Sequence, residues 1–115
     1  MIFQRSIKNK VSAVGVALHS GKKVRIVLKP AKENSGIIFK RIDTKVPVEI
    51  KVEPEAVKET RLSSTIGKNK LKISTVEHLM SALSASGIDN ILIEVDGSEI
   101  PIMDGSSIPF IYLIK

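Results

Sequence analysis

Between residues 11 and 29 the side chains alternate with a period of two, which among regular elements only a strand explains. Val14, Val16 and Leu18 fall on one face of the first stretch, and Gly15, Ala17 and His19 on the other. Ser20-Gly21-Lys22 supplies a turn, after which Val24, Ile26 and Leu28 alternate with Lys23, Arg25 and Lys29. The pattern predicts a hairpin over 11–29, ended by Pro30, which cannot donate to a ladder. A third strand fits Gly36–Arg41 and a fourth fits Val46–Val52. Ser64–Ile66 and Leu71–Ile73 flank Gly67-Lys68-Asn69-Lys70 as a second hairpin. Ile88–Val95 reads as a late strand with Ile91, Ile93 and Val95 on one face.

Helical signals stand between the strands. Pro54–Glu59 opens with proline followed by acids, which suits a short helix start. Ser74 and Glu77 are spaced as a capping box. Val76, Leu79, Met80 and Leu83 follow at helical spacing as a core stripe. Gly87 suits the position after the helix, where a positive φ is needed. Pro101–Ser106 reads as loop, and Ser107–Lys115 as the opening of a further helix. The other face of the 74–87 helix carries Glu77, His78, Ser81, Ala82, Ser84 and Ala85. With fourteen lysines in the chain, a solvated helix face should show more charge. A face of small residues implies a cover, either a second domain or partner subunit, or a third layer closed within this chain.

The chain has 115 residues, 43% of them apolar, enough for one domain with a modest core. No cysteine is present, which excludes disulfides and thiolate metal sites. No apolar run reaches about 18 residues, so no transmembrane helix is expected. MIFQRSIKNK lacks the pattern of a secretory signal, and a cytoplasmic protein is the expectation. Residues 1–50 hold eleven Lys/Arg against three acids, and residues 51–115 seven against nine. The basic half could attract nucleic acid, a phosphate-bearing substrate or a membrane surface. It could equally be a lysine-rich solvated sheet face. One Tyr, three Phe and no Trp argue against nucleic acid, whose binding modules stack bases on aromatics.

Only His19 and His78 supply imidazole. The paired-His helix signature of metalloproteases places them four apart, and here Ser74 and Ala82 occupy those positions. A catalytic zinc site takes about three protein ligands plus water. If His78 binds metal, its companions must be His19, carboxylates or residues beyond this chain. Glu77 also has two readings. It could close a capping box, or act as general base on a metal-bound water. Adjacent helical side chains point about 100° apart, so Glu77 and His78 could border one cleft.

Four strings carry a more specific signal: GVALHSGK, ISTVEHLMSAL, GIDNILIEV and EIPIMDGS, in this order and spacing. Together they closely resemble the first domain of the UDP-3-O-acyl-N-acetylglucosamine deacetylase family, zinc enzymes of lipid A synthesis. The resemblance runs from Met1 to about Leu113. It implies an α+β fold, a two-layer sandwich whose mostly antiparallel sheet carries helices on one side, facing a similar second domain across the active site. It implies Zn2+ as cofactor, with His78 as one ligand and Glu77 as the base that activates water. The implied reaction hydrolyses the 2-acetamido group of a UDP-sugar acyl substrate. His19 is implied to be substrate-proximal, at the end of a strand whose same-side Gly15 and Ala17 leave space. Leu62 and Ser63 match a segment lining the cleft entry, with Ser63 where some relatives have Cys. Asp104 matches a family acid, or is an Asp-Gly turn.

The resemblance also implies what is not here: a second domain with the remaining two zinc ligands, a further catalytic histidine and the acyl groove. The chain alone is therefore expected to be inactive and to need the missing domain or a complementary chain. The rival readings are a basic α+β binding module that kept the fold without catalysis, and an interaction domain that dimerises through the helix face.

Overall fold

The computed structural model describes residues 4–52, 66–68, 71–73, 76–103 and 108–115. Strands β1 (Val11–Val16) and β2 (Lys23–Pro30) form the expected hairpin. Strands β3 (Ile37–Arg41) and β4 (Val48–Val52) form another antiparallel pair. A small separate hairpin joins β5 (Ile66–Lys68) to β6 (Leu71–Ile73). Helix α1 (Glu77–Ala85) precedes strand β7 (Ile91–Val95), and helix α2 (Ile108–Ile114) follows it.

The main sheet has the order β1-β2-β7-β3-β4. Only the β3–β7 contact is parallel; the rest are antiparallel. The parallel contact follows from connectivity, because α1 lies between β4 and β7 and works as a crossover. Asn90 fixes the register at the start of β7. Its Oδ1 accepts from the Gly36 N–H at 2.8 Å, and its Nδ2 donates to Gln4 Oε1 at 2.8 Å.

One face of the sheet is the core. Val24, Ile26 and Leu28 of β2, Phe39 of β3 and Ile91, Ile93 and Val95 of β7 point inward and are buried. Val76, Leu79, Met80 and Leu83 of α1, with Phe110 of α2, cover them. Each such side chain contributes about 1.5–3 kcal/mol by leaving water. The intervening residues of β2 face outward: Lys23 and Arg25 are exposed, and Lys29 meets Glu94 of β7 at 3.0 Å. These lysines of the basic half stand on an open sheet face. The architecture is the expected two-layer α+β sandwich.

Strand β1 reverses the usual polarity of an amphipathic strand. Val14, Val16 and Leu18 are about half exposed, at 48%, 52% and 56%, while the small face turns to the core. A Cβ on Gly15 would stand 2.8 Å from Pro101 Cβ and 3.2 Å from Met103 Sδ. The space that Gly15 leaves is thus taken up by this chain itself. Pro101 bridges Ala17, and the Ile102 N–H donates to the Val16 carbonyl at 3.0 Å. Pro101 and Ile102, in a segment that reads as loop in sequence, therefore pair with the C-terminal end of β1 at its free edge.

Helix α1 ends as its sequence predicts. Gly87 has φ +68°, its N–H donates to Ser84, and that of Ile88 donates to Leu83. This is the double closure of a Schellman motif. The start differs from expectation. The N-cap is Val76, which offers no side-chain cap, so Glu77 opens the helix rather than lying at its third position. Val76 is fully buried, and its burial anchors the start in place of a polar cap. Ala82, placed by periodicity on the outer face, is also fully buried, because α2 packs alongside α1. In the small hairpin, Gly67 and Lys68 belong to β5 and not to the turn. The expected helix at 54–59, and Leu62, Ser63, Ser74 and Asp104, lie outside the described residues.

Candidate active site

Two carboxylate–histidine pairs emerge, on different elements. The first is at the start of α1. Glu77 and His78 are neighbours in sequence, yet both side chains turn toward one place, with Glu77 Oε1 3.9 Å from His78 Nε2. That separation is beyond hydrogen-bond distance. Both side chains are partly open, at 39% and 31%. Glu77 Oε2 is buried and has no hydrogen-bond partner among the described residues.

A buried, unpartnered carboxylate oxygen costs free energy, and in folded proteins it calls for an explanation. A capping box would have used the carboxylate to close the helix end, but Glu77 is the first helical residue and its Oε2 is unengaged. It does gain from its place at the positive end of the helix. The unused oxygen beside an imidazole fits a site that takes a water and a cation. The His78 imidazole makes no hydrogen bond to any described residue, which leaves a ring nitrogen free to act as a ligand. The donor chemistry therefore fits zinc. Among the described residues, no group of three or more His, Cys, Asp or Glu is arranged to hold a metal.

The second pair lies at the β1–β2 turn. Its members are His19 and Glu99, a residue that the sequence reading did not single out. Glu99 Oε2 accepts from the His19 backbone N–H at 2.9 Å and lies 2.8 Å from His19 Nδ1. Glu99 Oε1 accepts from the Ser20 N–H at 3.4 Å. The Glu99 side chain is 6% exposed and the His19 side chain 71%. The turn is closed by Ala17 and Lys22 (2.8 Å) and by Gly21 and Ala17 (2.9 Å). The signal that could have revealed Glu99 is its setting: a single carboxylate directly before the apolar run Ile100-Pro101-Ile102. A charge in such a run is buried only with a partner.

No hydrogen bond or ion pair among the described residues joins His19 to Glu77 or His78. A third acid, Asp43, is held differently. Arg41 Nε and Nη2 reach its two oxygens at 3.1 and 2.8 Å. This hydrogen bonding from Arg41 holds the Asp43 carboxyl below its ordinary value, against a weaker upward push from burial.

The family model described as LpxC, UDP-3-O-acyl N-acetylglycosamine deacetylase, matches residues 4–115. The chain belongs to this family. Among curated UDP-3-O-acyl-N-acetylglucosamine deacetylases, that of Colwellia psychrerythraea is 54% identical over 116 residues, covering 100% of this chain and 38% of the relative. Those of Geotalea uraniireducens and Chromobacterium violaceum are 53% and 52% identical, again with 38% of each relative covered. The chain thus spans less than two fifths of the length of these relatives. This chain is therefore part of an LpxC-family protein. No helix among the described residues is long and apolar enough to cross a membrane.

Proposed function

We propose that this chain is the N-terminal part of a zinc-dependent deacetylase acting on UDP-3-O-acyl-N-acetylglucosamine in lipid A synthesis, in the cytoplasm. Glu77 is its general base and His78 is one zinc ligand. The observation that carries this reading is the buried, unpartnered Glu77 Oε2 beside the uncommitted His78 imidazole. Zinc, when bound, supplies a Lewis acid that acidifies water and polarises the amide carbonyl.

Glu77 takes the proton of the attacking water as the water oxygen bonds to the acetyl carbon. The carbon–nitrogen bond then breaks, the nitrogen leaves as an amine after gaining a proton, and acetate is released. Glu77 is suited to the first transfer because no hydrogen bond within the described residues competes for Oε2. The other zinc ligands, the proton donor to the nitrogen and the acyl groove belong to the part of the relatives that this chain does not span. His19, Leu62, Ser63 and Asp104 are proposed to lie near the substrate.

That missing part is also the proposed cover for the helix layer. Ser81, Ser84 and Ala85 of α1 are exposed, and so are Ile108 (56%) and Tyr112 (74%) of α2. Small and apolar residues side by side suit close approach of a second domain. The test is deacetylation by this chain joined to the remainder of a relative. Activity that appears only in the joined protein, and falls in Glu77→Gln, supports the reading. Full activity in the 115-residue chain alone contradicts it.

A further inference from the structure

We propose that Glu99 is the positioning residue of His19, fixing its tautomer and holding Nε2 outward for the substrate. Three observations carry this. First, Glu99 is buried and three groups of one loop, His19 N, His19 Nδ1 and Ser20 N, converge on its oxygens. Second, its delivery is built into the fold. The Pro101–Ala17 bridge and the Ile102–Val16 hydrogen bond pin the segment after Glu99 along β1. Gly15 leaves room for Pro101 to lie there. Third, His19 is largely exposed while its partner is not, so the ring is held at one edge and presented at the other.

The chemical consequence follows from imidazole itself. A carboxylate only accepts hydrogen bonds, so the nitrogen 2.8 Å from Glu99 Oε2 must carry the proton. In the neutral ring the lone pair then resides on Nε2, which can accept from a sugar hydroxyl or amide N–H. In the protonated ring Nε2 becomes a donor while Nδ1–H stays with Glu99. Either way Glu99 decides which nitrogen faces outward, as second partners of functional histidines do. The bond to the His19 backbone N–H adds rigidity, because backbone and ring are tied to the same oxygen. That this ordering serves a substrate rests on the deacetylase reading above; the ordering itself does not.

Nitrogen-detected NMR of the 115-residue chain tests it, and only two histidines need to be assigned. At a pH where the ring is neutral, His19 is expected to carry its proton on Nδ1, and Glu99→Gln is expected to lose that preference. His78 serves as the internal reference and should not change. A purely structural Glu99 could stabilise the loop but would not dictate the tautomer. A proton on Nε2 of His19 in the unmodified chain overturns the proposal without any variant. So does a His19 tautomer that is unchanged in a folded Glu99→Gln. The deacetylase reading fails by a separate readout, turnover of the joined protein, which this measurement does not involve.

Discussion

Glu99 and Glu77 stand beside the two histidines of the chain, and their surroundings are opposite. Glu99 accepts from two backbone N–H groups and one imidazole, whereas Glu77 Oε2 accepts from nothing among the described residues. A carboxylate whose lone pairs are engaged holds structure in place. One whose oxygen is buried and idle carries a desolvation cost set against its gain at the helix end, and calls for an explanation other than stability. The same residue pair, Glu with His, thus reads as scaffold in one place and as reactive group in the other.

The contrast breaks most visibly in activity. In this chain joined to the remainder of a relative, Glu77→Gln should lower kcat by about 10²–10⁴-fold, the usual share of a general base. Steady-state kinetics measures it, and an unchanged kcat would remove Glu77 from the chemistry. In stability the order reverses. Glu99→Ala strands the His19 and Ser20 donors and should cost about 1–3 kcal/mol in urea unfolding. Glu77→Ala should stay within about 0.5 kcal/mol of the parent. Equal losses for the two would erase the distinction.

Gly15→Ala probes how Glu99 is delivered. The new methyl meets Pro101 Cβ at 2.8 Å, and a proline ring cannot swing aside. The expected loss is about 1–3 kcal/mol, with the His19 signals shifting in the same spectra. Asp43 gives the smallest effect and a useful intermediate, since Arg41 engages both its oxygens. Its carboxyl is held below the ordinary value of 3.8, so its contribution is present above that value and fades as pH falls through the lowered one. The stability gap between the parent and Asp43→Asn should therefore be constant from about pH 7 to about pH 5 and close only in stronger acid. A gap that closes near neutral pH would contradict the sign.

Much of the sheet was legible because period two is unambiguous where Val24, Ile26 and Leu28 alternate with charges. The end of α1 was legible because Gly87 has a specific backbone task. The start was not: Ser74 and Glu77 match a polar cap by spacing, but burial of Val76 fixes the start, and burial is a tertiary property. The inner face of β1 was illegible for a related reason. Val14, Val16 and Leu18 look like core, and only the arrival of Pro101 from 84 positions beyond Ala17 shows why glycine and alanine take that side. The roles proposed for Glu77 and His78 rest on motif resemblance, not on spacing. Glu99 escaped because its partner His19 lies 80 positions away in sequence, and no local pattern joins them.

The central claim is that His78 supplies part of a zinc site that other residues, outside this chain, complete. Calorimetric titration of zinc into the chain alone, and into the chain mixed with the missing part of a relative, tests it most directly. The account predicts tight binding of one zinc only in the mixture, lost in His78→Ala. Binding that persists in His78→Ala, or no binding in the mixture, would contradict it.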